Sequence, residues 1–220
     1  KQIRSPFQNR NIAFGSSNDE LTGIFETQVL SIADANNDGV AELVVFGPSA
    51  AFQGVYGPGA TAALFTGPNT FDIDTCGSVA ACEAAATDGS LWAVAGFGDA
   101  DDVWVSRNSV LNFALASNEE AVTQVASINY AQSLLVNNTG YLFNEVQLSC
   151  ITFNCVGAGK DGKTDLIGSG SILGGLGLTD GYGVRSDIDV TFNVVPEPGS
   201  LALVGLALAG IGLSARRRKV

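Results

Sequence analysis

The sequence predicts a mostly-β body of the β-sandwich type with at most one short helix, followed by a C-terminal hydrophobic helix. Three observations carry this. Only 15% of the residues are charged and 27 are Gly, a mix that suits strands and tight turns better than long amphipathic helices. Short runs of alternating apolar and polar residues recur between breaks rich in Gly, Asn and Asp. From Gly199 to Ala215 the chain runs 17 residues without a charge. A chain of 220 residues can bury a real core.

The elements follow in order. Residues before about Asn18 are polar and read as a loose arm. "LTGIFETQVLSIADANNDGVAELVVFG" reads as a hairpin, with an alternating strand near Gly23–Ile32, an Asp/Asn turn and a β-branched strand Glu42–Phe46. "SLWAVAGFG" and "DDVWVSRNSVLNFAL" are further strand candidates. "EEAVTQVASINYAQ" reads as the one short helix, capped by Asn118 ahead of Glu119 and Glu120. "QSLLVNNTGYLFNEVQLSC" carries a hairpin signal with Asn137-Asn138-Thr139-Gly140 at the turn. The Gly-dense stretch "AGKDGKTDLIGSGSILGGLGLTDGYG" reads as loops. "DGYGVRSDIDVTFNVV" ends the body as a strand, with Ile188, Val190, Phe192 and Val194 alternating. The expected division is a body over 1–195 and a separate tail over 196–220. No repeat array is present, only an echo between "DGVAELVVFG" and "DGKTDLIGSG".

Composition excludes several functions. The chain carries 11 basic and 22 acidic side chains, a net charge of −11. Four of the basic ones, Arg216, Arg217, Arg218 and Lys219, sit together at the end, leaving 7 against 22. Such a body repels nucleic acid, whereas it favours divalent cations and solubility. The chain has no His, which excludes Ser-His and Cys-His nucleophilic sites and His-metal catalysis. No Gly-rich loop has the Walker spacing. The four cysteines, Cys76, Cys82, Cys150 and Cys155, fall as two local pairs along the chain, and the sequence leaves open which Cys bonds to which. Close even pairs fit small disulfide loops in an oxidising compartment, the rival reading being a metal site. "KQIRSPFQNR" has no signal-peptide pattern, so an exported form is expected to have lost its leader.

The tail has three parts. Pro196 and Pro198 break the preceding strand. The uncharged stretch would span about 25 Å as a helix, at the short limit of a membrane span. The basic cluster is what the positive-inside rule places on the cytoplasmic side of an inner membrane. Together "VPEPGSLALVGLALAGIGLSARRRK" resembles the PEP-CTERM sorting signal of Gram-negative bacteria. The resemblance rests on Pro196-Glu197-Pro198, the short hydrophobic helix and Arg216, Arg217 and Arg218. It implies export, an inner-membrane-anchored intermediate, processing by an exosortase near the PEP motif, and a destination at the cell surface or outside the cell. Proteins with this signal are typical of bacteria that make exopolysaccharide and live in biofilms.

Within the body, "DANNDGVAE" alternates Asp34, Asn36 and Asp38, with Gly39 permitting a sharp turn. Oxygen ligands at first, third and fifth positions with a carbonyl at the seventh wrap a hard cation such as calcium. An EF-hand would need Glu at the twelfth position, where Val45 stands. The segment instead resembles the calcium loop of FG-GAP-type repeats. That resemblance implies ligands Asp34, Asn36, Asp38, the Val40 carbonyl and Glu42. The bland alternative is a polar β-turn. "GDADD" groups Asp99, Asp101 and Asp102. Paired carboxylates can serve glycoside hydrolysis, but such clusters in acidic chains are usually solvated loops. Trp92, Phe97 and Trp104 flank it and read either as a sugar-stacking face or as core. The sequon Asn137-Asn138-Thr139 carries little weight in a bacterial chain.

The function these features predict is a non-catalytic surface or extracellular-matrix protein, sorted by its tail. Exosortase and the inner membrane are the expected partners during sorting. Exopolysaccharide is a candidate partner of the mature body. The alternatives are a carbohydrate-binding module and a self-assembling filament subunit that forms a homo-polymer.

Overall fold

A computed structural model describes residues 2–9, 19–37, 42–68, 71–72, 76–107, 125–150, 153, 155–174, 184–195, 204 and 206–208. The strands are β1 (Gln2–Asn9), β2 (Asp19–Ala33), β3 (Leu43–Pro48), β4 (Ala60–Pro68), β5 (Ser90–Gly96), β6 (Val103–Arg107), β7 (Val125–Asn137), β8 (Phe143–Asn144), β9 (Val146–Gln147), β10 (Lys163–Thr164), β11 (Leu166–Gly174) and β12 (Val184–Val194). Two helices interrupt them, α1 (Ala50–Tyr56) and α2 (Val79–Ala86).

The body is mostly β and antiparallel, as expected. Among the described residues the strands do not divide into two large sheets; β9 and β10 alone pair apart, as a two-stranded sheet. Ten strands join one sheet in the order β5-β4-β2-β3-β6-β7-β11-β12-β8, with β1 added to β2. β5 also pairs with β7, so β5, β4, β2, β3, β6 and β7 close a ring of pairings. All six contribute to one hydrophobic cluster, which includes Phe25, Val44, Phe46, Ala62, Ala95, Trp104 and Tyr130. Trp104 lies between Phe25 and Tyr130, with ring centroids 5.4 and 5.2 Å away. A second cluster gathers Ile24, Ala63 and Val94 of the sheet against Phe52 of α1 and Cys82 and Ala86 of α2.

The ring contains two long strands served by pairs of shorter ones. β4 pairs with residues 19–25 of β2, and β3 with residues 27–33. β6 pairs with residues 127–131 of β7, and β5 with residues 133–137. The pairing therefore changes partner at Glu26 and at Gln132. Both changeover residues are polar and buried, at 3% and 1% exposure. The chain leaves the sheet just after β3, where Ser49 caps α1 by accepting the Phe52 N–H at 3.1 Å.

Several expectations are corrected. Within the N-terminal arm, Gln2–Asn9 form strand β1, paired with residues 21–28 of β2, while residues 10–18 lie outside the described residues. The helix expected over "EEAVTQVASINYAQ" is strand β7 from Val125 onward; residues 119–124 and the Asn118 cap lie outside the described residues. There the burial of Ile128, Tyr130 and Ala131 in a sheet outweighs a local capping signal. Among the described residues the body has two helices, where at most one was expected. Each begins at a Ser N-cap, Ser49 or Ser78, which is the start signal available in the sequence. The turn at Asn137–Gly140 exists, with Asn137 Oδ1 accepting the Thr139 N–H at 3.0 Å and Gly140 at φ 78°. It closes no hairpin, because β8 pairs with β12 and β9 with β10.

The Gly-dense stretch holds strands β10 and β11 instead of loops alone. Gly168 explains why Gly was needed in a strand. It sits opposite Tyr130 and Val190, and a Cβ there would collide with the Tyr130 ring and the Asp189 carbonyl. The Tyr130 hydroxyl crosses this gap and donates to the Asp189 carbonyl at 2.8 Å. Gly168→Ala is therefore expected to lower stability by about 1–3 kcal/mol in urea unfolding. Gly54→Ala, on α1 with nothing within 4 Å, is expected to raise it by about 0.4–1 kcal/mol.

Candidate functional site

The "GDADD" segment lies in the loop that carries the chain from β5 to β6. The expectation of a solvated loop is overturned, since Asp101 and Asp102 are 2% and 8% exposed. Their carboxylates hold backbone in place of water. Asp102 Oδ2 accepts the Gly98 N–H at 2.6 Å, the Asp99 N–H at 3.0 Å and the Ser133 hydroxyl at 2.7 Å. Ser133 is the first β7 residue paired with β5, so this carboxylate spans the place where β7 changes partner. Asp101 Oδ2 accepts the N–H groups of Gly162, at 2.7 Å, and Lys163, at 3.2 Å. That ties the loop to the segment entering β10. Next to it, Asp165 Oδ2 accepts the Leu134 N–H at 2.7 Å. Asp161 Oδ1 accepts the Lys163 N–H at 2.9 Å, the turn expected for this second Asp-Gly pair.

Asp99 closes the cluster. Its Oδ1 accepts the Asp101 N–H at 3.2 Å, and its Oδ2 lies 3.4 Å from the Ser133 hydroxyl. Burial, a hydrogen bond to the Asp101 side chain and the charge of Asp102 push its carboxyl up to about 6. Burial alone would raise Asp101 too, but the hydrogen bonds from Asp99, Gly162 and Lys163 hold it below the usual carboxylate range. Burial raises Asp102, against the bonds from Ser133 and two amides. The Ser133 and Gly162 contributions had no local signal in the sequence, since they come from 31 and 61 residues away.

Both buried carboxylates are saturated by the protein's own N–H and O–H donors on one oxygen. Among the described residues no group of three or more His, Cys, Asp or Glu side chains is arranged to hold a metal ion.

The Asp34 loop is described in part. Glu42 N–H donates to the Ala33 carbonyl at 3.0 Å, and Glu42 Oε2 accepts the Ala35 N–H at 2.7 Å. These two bonds close the neck of the loop between β2 and β3. Asp34 is half-buried and Asn36 exposed, and Asn37 takes a positive φ of 58°. Asp38 and Val40 lie outside the described residues.

The aromatic residues separate. Trp104 is 5% exposed in the core, and Phe97 packs against the same cluster. Trp92 is half-buried, edge-on to Phe192 at 6.3 Å. The burial of Trp104 removes it from any sugar-stacking face shared with Trp92. The cysteines form two disulfides, Cys76–Cys82 and Cys150–Cys155.

At the C-terminal end, Val194 pairs with Phe143 and the Val195 N–H donates to the Leu142 carbonyl at 2.8 Å. Beyond it Val204, Leu206, Ala207 and Leu208 are described, all helical and exposed. No helix among the described residues is long and apolar enough to cross a membrane. Pro196, Glu197, Pro198, Arg216, Arg217 and Arg218 lie outside them. Residues 194–219 match the family model of the PEP-CTERM protein-sorting motif. The chain carries a PEP-CTERM sorting motif. No curated protein and no solved structure matches the chain. The PEP-CTERM match thus begins at the last paired residue of β12.

Replacing Asp102 by Ala strips three donors of their acceptor. Its stability in urea is expected to fall by about 2–3 kcal/mol, whereas Asp88→Ala, at an exposed site, is expected to stay within about 0.5 kcal/mol of the parent. Equal effects of the two would contradict a structural role for Asp102.

Proposed function

We propose that this chain is a non-catalytic exported surface protein, delivered by its PEP-CTERM tail through an inner-membrane-anchored stage to the cell surface or the extracellular matrix. The observation that carries the reading is the sorting motif over residues 194–219, starting where β12 ends its pairing with β8. Exosortase is the partner during sorting. Supporting it are the two disulfides, which suit an oxidising compartment, and the net charge of −11, which suits a soluble outer body. The non-catalytic reading rests on a cluster of acids whose hydrogen bonds tie backbone segments together. In an exosortase-bearing host, full-length protein should appear in the surface or medium fraction in a form shorter than the precursor. A chain ending at Val195 and an Arg216/Arg217/Arg218→Ala variant should not follow the same route. Correct surface delivery of both variants would sink the reading.

The Asp34 loop is proposed as a calcium site in the same body. Asp34, Asn36, Asp38, the Val40 carbonyl and Glu42 would supply the oxygens. The closed neck supports it, because Glu42 and Ala33 already hold the two ends of the loop together. Calcium at about a hundredfold its Kd should add about 2.7 kcal/mol to stability. Thermal melting would show the rise, and Asp38→Ala should abolish it. A parent protein whose melting ignores calcium would refute the site.

A further inference from the structure

Exposed apolar side chains are ordinary when they stand singly. Tyr141 and Leu142 are neighbours, 39% and 64% exposed. They lie in the segment that leads from β7 to β8, and this segment is bonded to the root of the tail. The Leu142 carbonyl accepts the N–H of Val195, the residue before Pro196, at 2.8 Å. Val194 beside it pairs with Phe143.

The turn that presents them is braced. Asn137 Nδ2 donates to the Tyr141 carbonyl at 2.9 Å, and Thr139 Oγ1 accepts the Tyr141 N–H at 2.9 Å. The Asn138 N–H donates to the Trp92 carbonyl at 2.9 Å. Phe143 packs on Phe192 with ring centroids 5.4 Å apart, and Phe192 meets Trp92. The two exposed side chains therefore stand on backbone that is already fixed, so covering them orders little more of the chain.

The surroundings are uncharged in an otherwise acidic body. Residues 121–144 and 190–195 contain no Asp, Glu, Lys or Arg. The first acid past the turn, Glu145, is paired with Lys163 at 3.0 Å. Anionic headgroups repel carboxylates, so an acidic body meets lipid most readily through a patch of this kind.

We propose that the Tyr141–Leu142 turn is a lipid-contacting foot, which seats the body on the phospholipid surface while the tail anchors it. The inference rests on the membrane-anchored stage proposed above. Residues 196–200 separate Val195 from the apolar run that begins at Leu201, so even full extension puts only about 20 Å between Val195 and that run. The foot is thus tethered within reach of the headgroup region. The described apolar residues of the run, Val204, Leu206 and Leu208, are exposed, so the body does not cover them. Tyr suits such an interface, with its ring against the acyl boundary and its hydroxyl in water, and Leu adds apolar area.

The test uses the full chain in nanodiscs of phosphatidylethanolamine and phosphatidylglycerol, with and without bromine on the upper acyl carbons. Leu142→Trp places a fluorophore on the foot and keeps the backbone bond to Val195. Its added emission, over that of Trp92 and Trp104, should be largely lost in brominated discs. Val55→Trp, at an exposed site on α1, should keep its emission. Adding Tyr141→Asp to Leu142→Trp puts a carboxylate in the contact and should restore much of the emission. A chain that stays in the discs but keeps its Leu142→Trp emission in brominated lipid would overturn the foot alone. Equal losses at positions 142 and 55 would overturn it too. So would a Leu142→Trp shielded from aqueous iodide yet insensitive to bromine, since a second copy would then be covering the turn. A chain that does not stay in the discs would overturn the anchored stage, and the foot with it.

Discussion

A sheet in which two strands stop half-way along a longer neighbour leaves backbone groups at the stop without a ladder partner. Buried N–H and C=O groups need such partners, so the fold must supply them from elsewhere. This constraint organises the body. β2 and β7 each run past a pair of shorter strands, and the pairing changes at Glu26 and Gln132. Both positions hold buried polar side chains that reach across the change. Glu26 accepts the hydroxyl of Ser49, the residue that starts α1. Gln132 Nε2 donates to Thr61 Oγ1 at 2.6 Å, and the Thr61 hydroxyl faces the Ala95 carbonyl at 3.4 Å. Thr164 Oγ1 adds a bond to the Gln132 carbonyl at 2.8 Å.

The acidic loop is the same solution on the β5–β6 side. Asp102 gathers the amides freed where β5 ends, and Asp101 reaches to the neighbouring segment. Carboxylates suit this task because each can accept several bonds at once. They bring a cost, since three acids in four residues repel one another inside a partly buried site. Burial first, and the charge of Asp102 after it, raise the carboxyl of Asp99. The disulfides act at a different scale. Cys76–Cys82 fixes the entry to α2, with Cys82 in the second hydrophobic cluster. Cys150–Cys155 holds the segment whose Phe153 packs with Ala131 and Leu148.

What could be read from sequence followed how local each signal was. The strands around Phe25, Val44, Trp92, Trp104 and Phe192 were legible from their alternation. Disulfides were suggested by the even, closely spaced cysteines, but their connectivity was not. The tail was legible because its breaker, apolar run and basic cluster are contiguous. β7 was misread at its start because a capping signal at Asn118–Glu120 is local, whereas the burial of Ile128 and Tyr130 is set by β6 and β11. β11 was misread because its Gly residues conceal a strand whose missing side chains make room for Tyr130. The role of Asp101 and Asp102 was hidden for the same reason. Their partners, Ser133, Gly162 and Lys163, lie far along the chain, so the cluster looked like an ordinary acidic loop.

The central claim is that buried polar side chains join the two halves of the ring across the changeover. A double-mutant cycle on Gln132 and Thr61, residues 71 apart that meet at 2.6 Å, tests it most directly. Thr61→Val, Gln132→Leu and the double variant would be compared by urea unfolding. Each single change should leave a buried group unpaired and cost about 1–3 kcal/mol, while the double removes both partners together. A coupling energy of about 1 kcal/mol or more is the predicted result. Strict additivity, with no coupling between the two sites, would contradict the account.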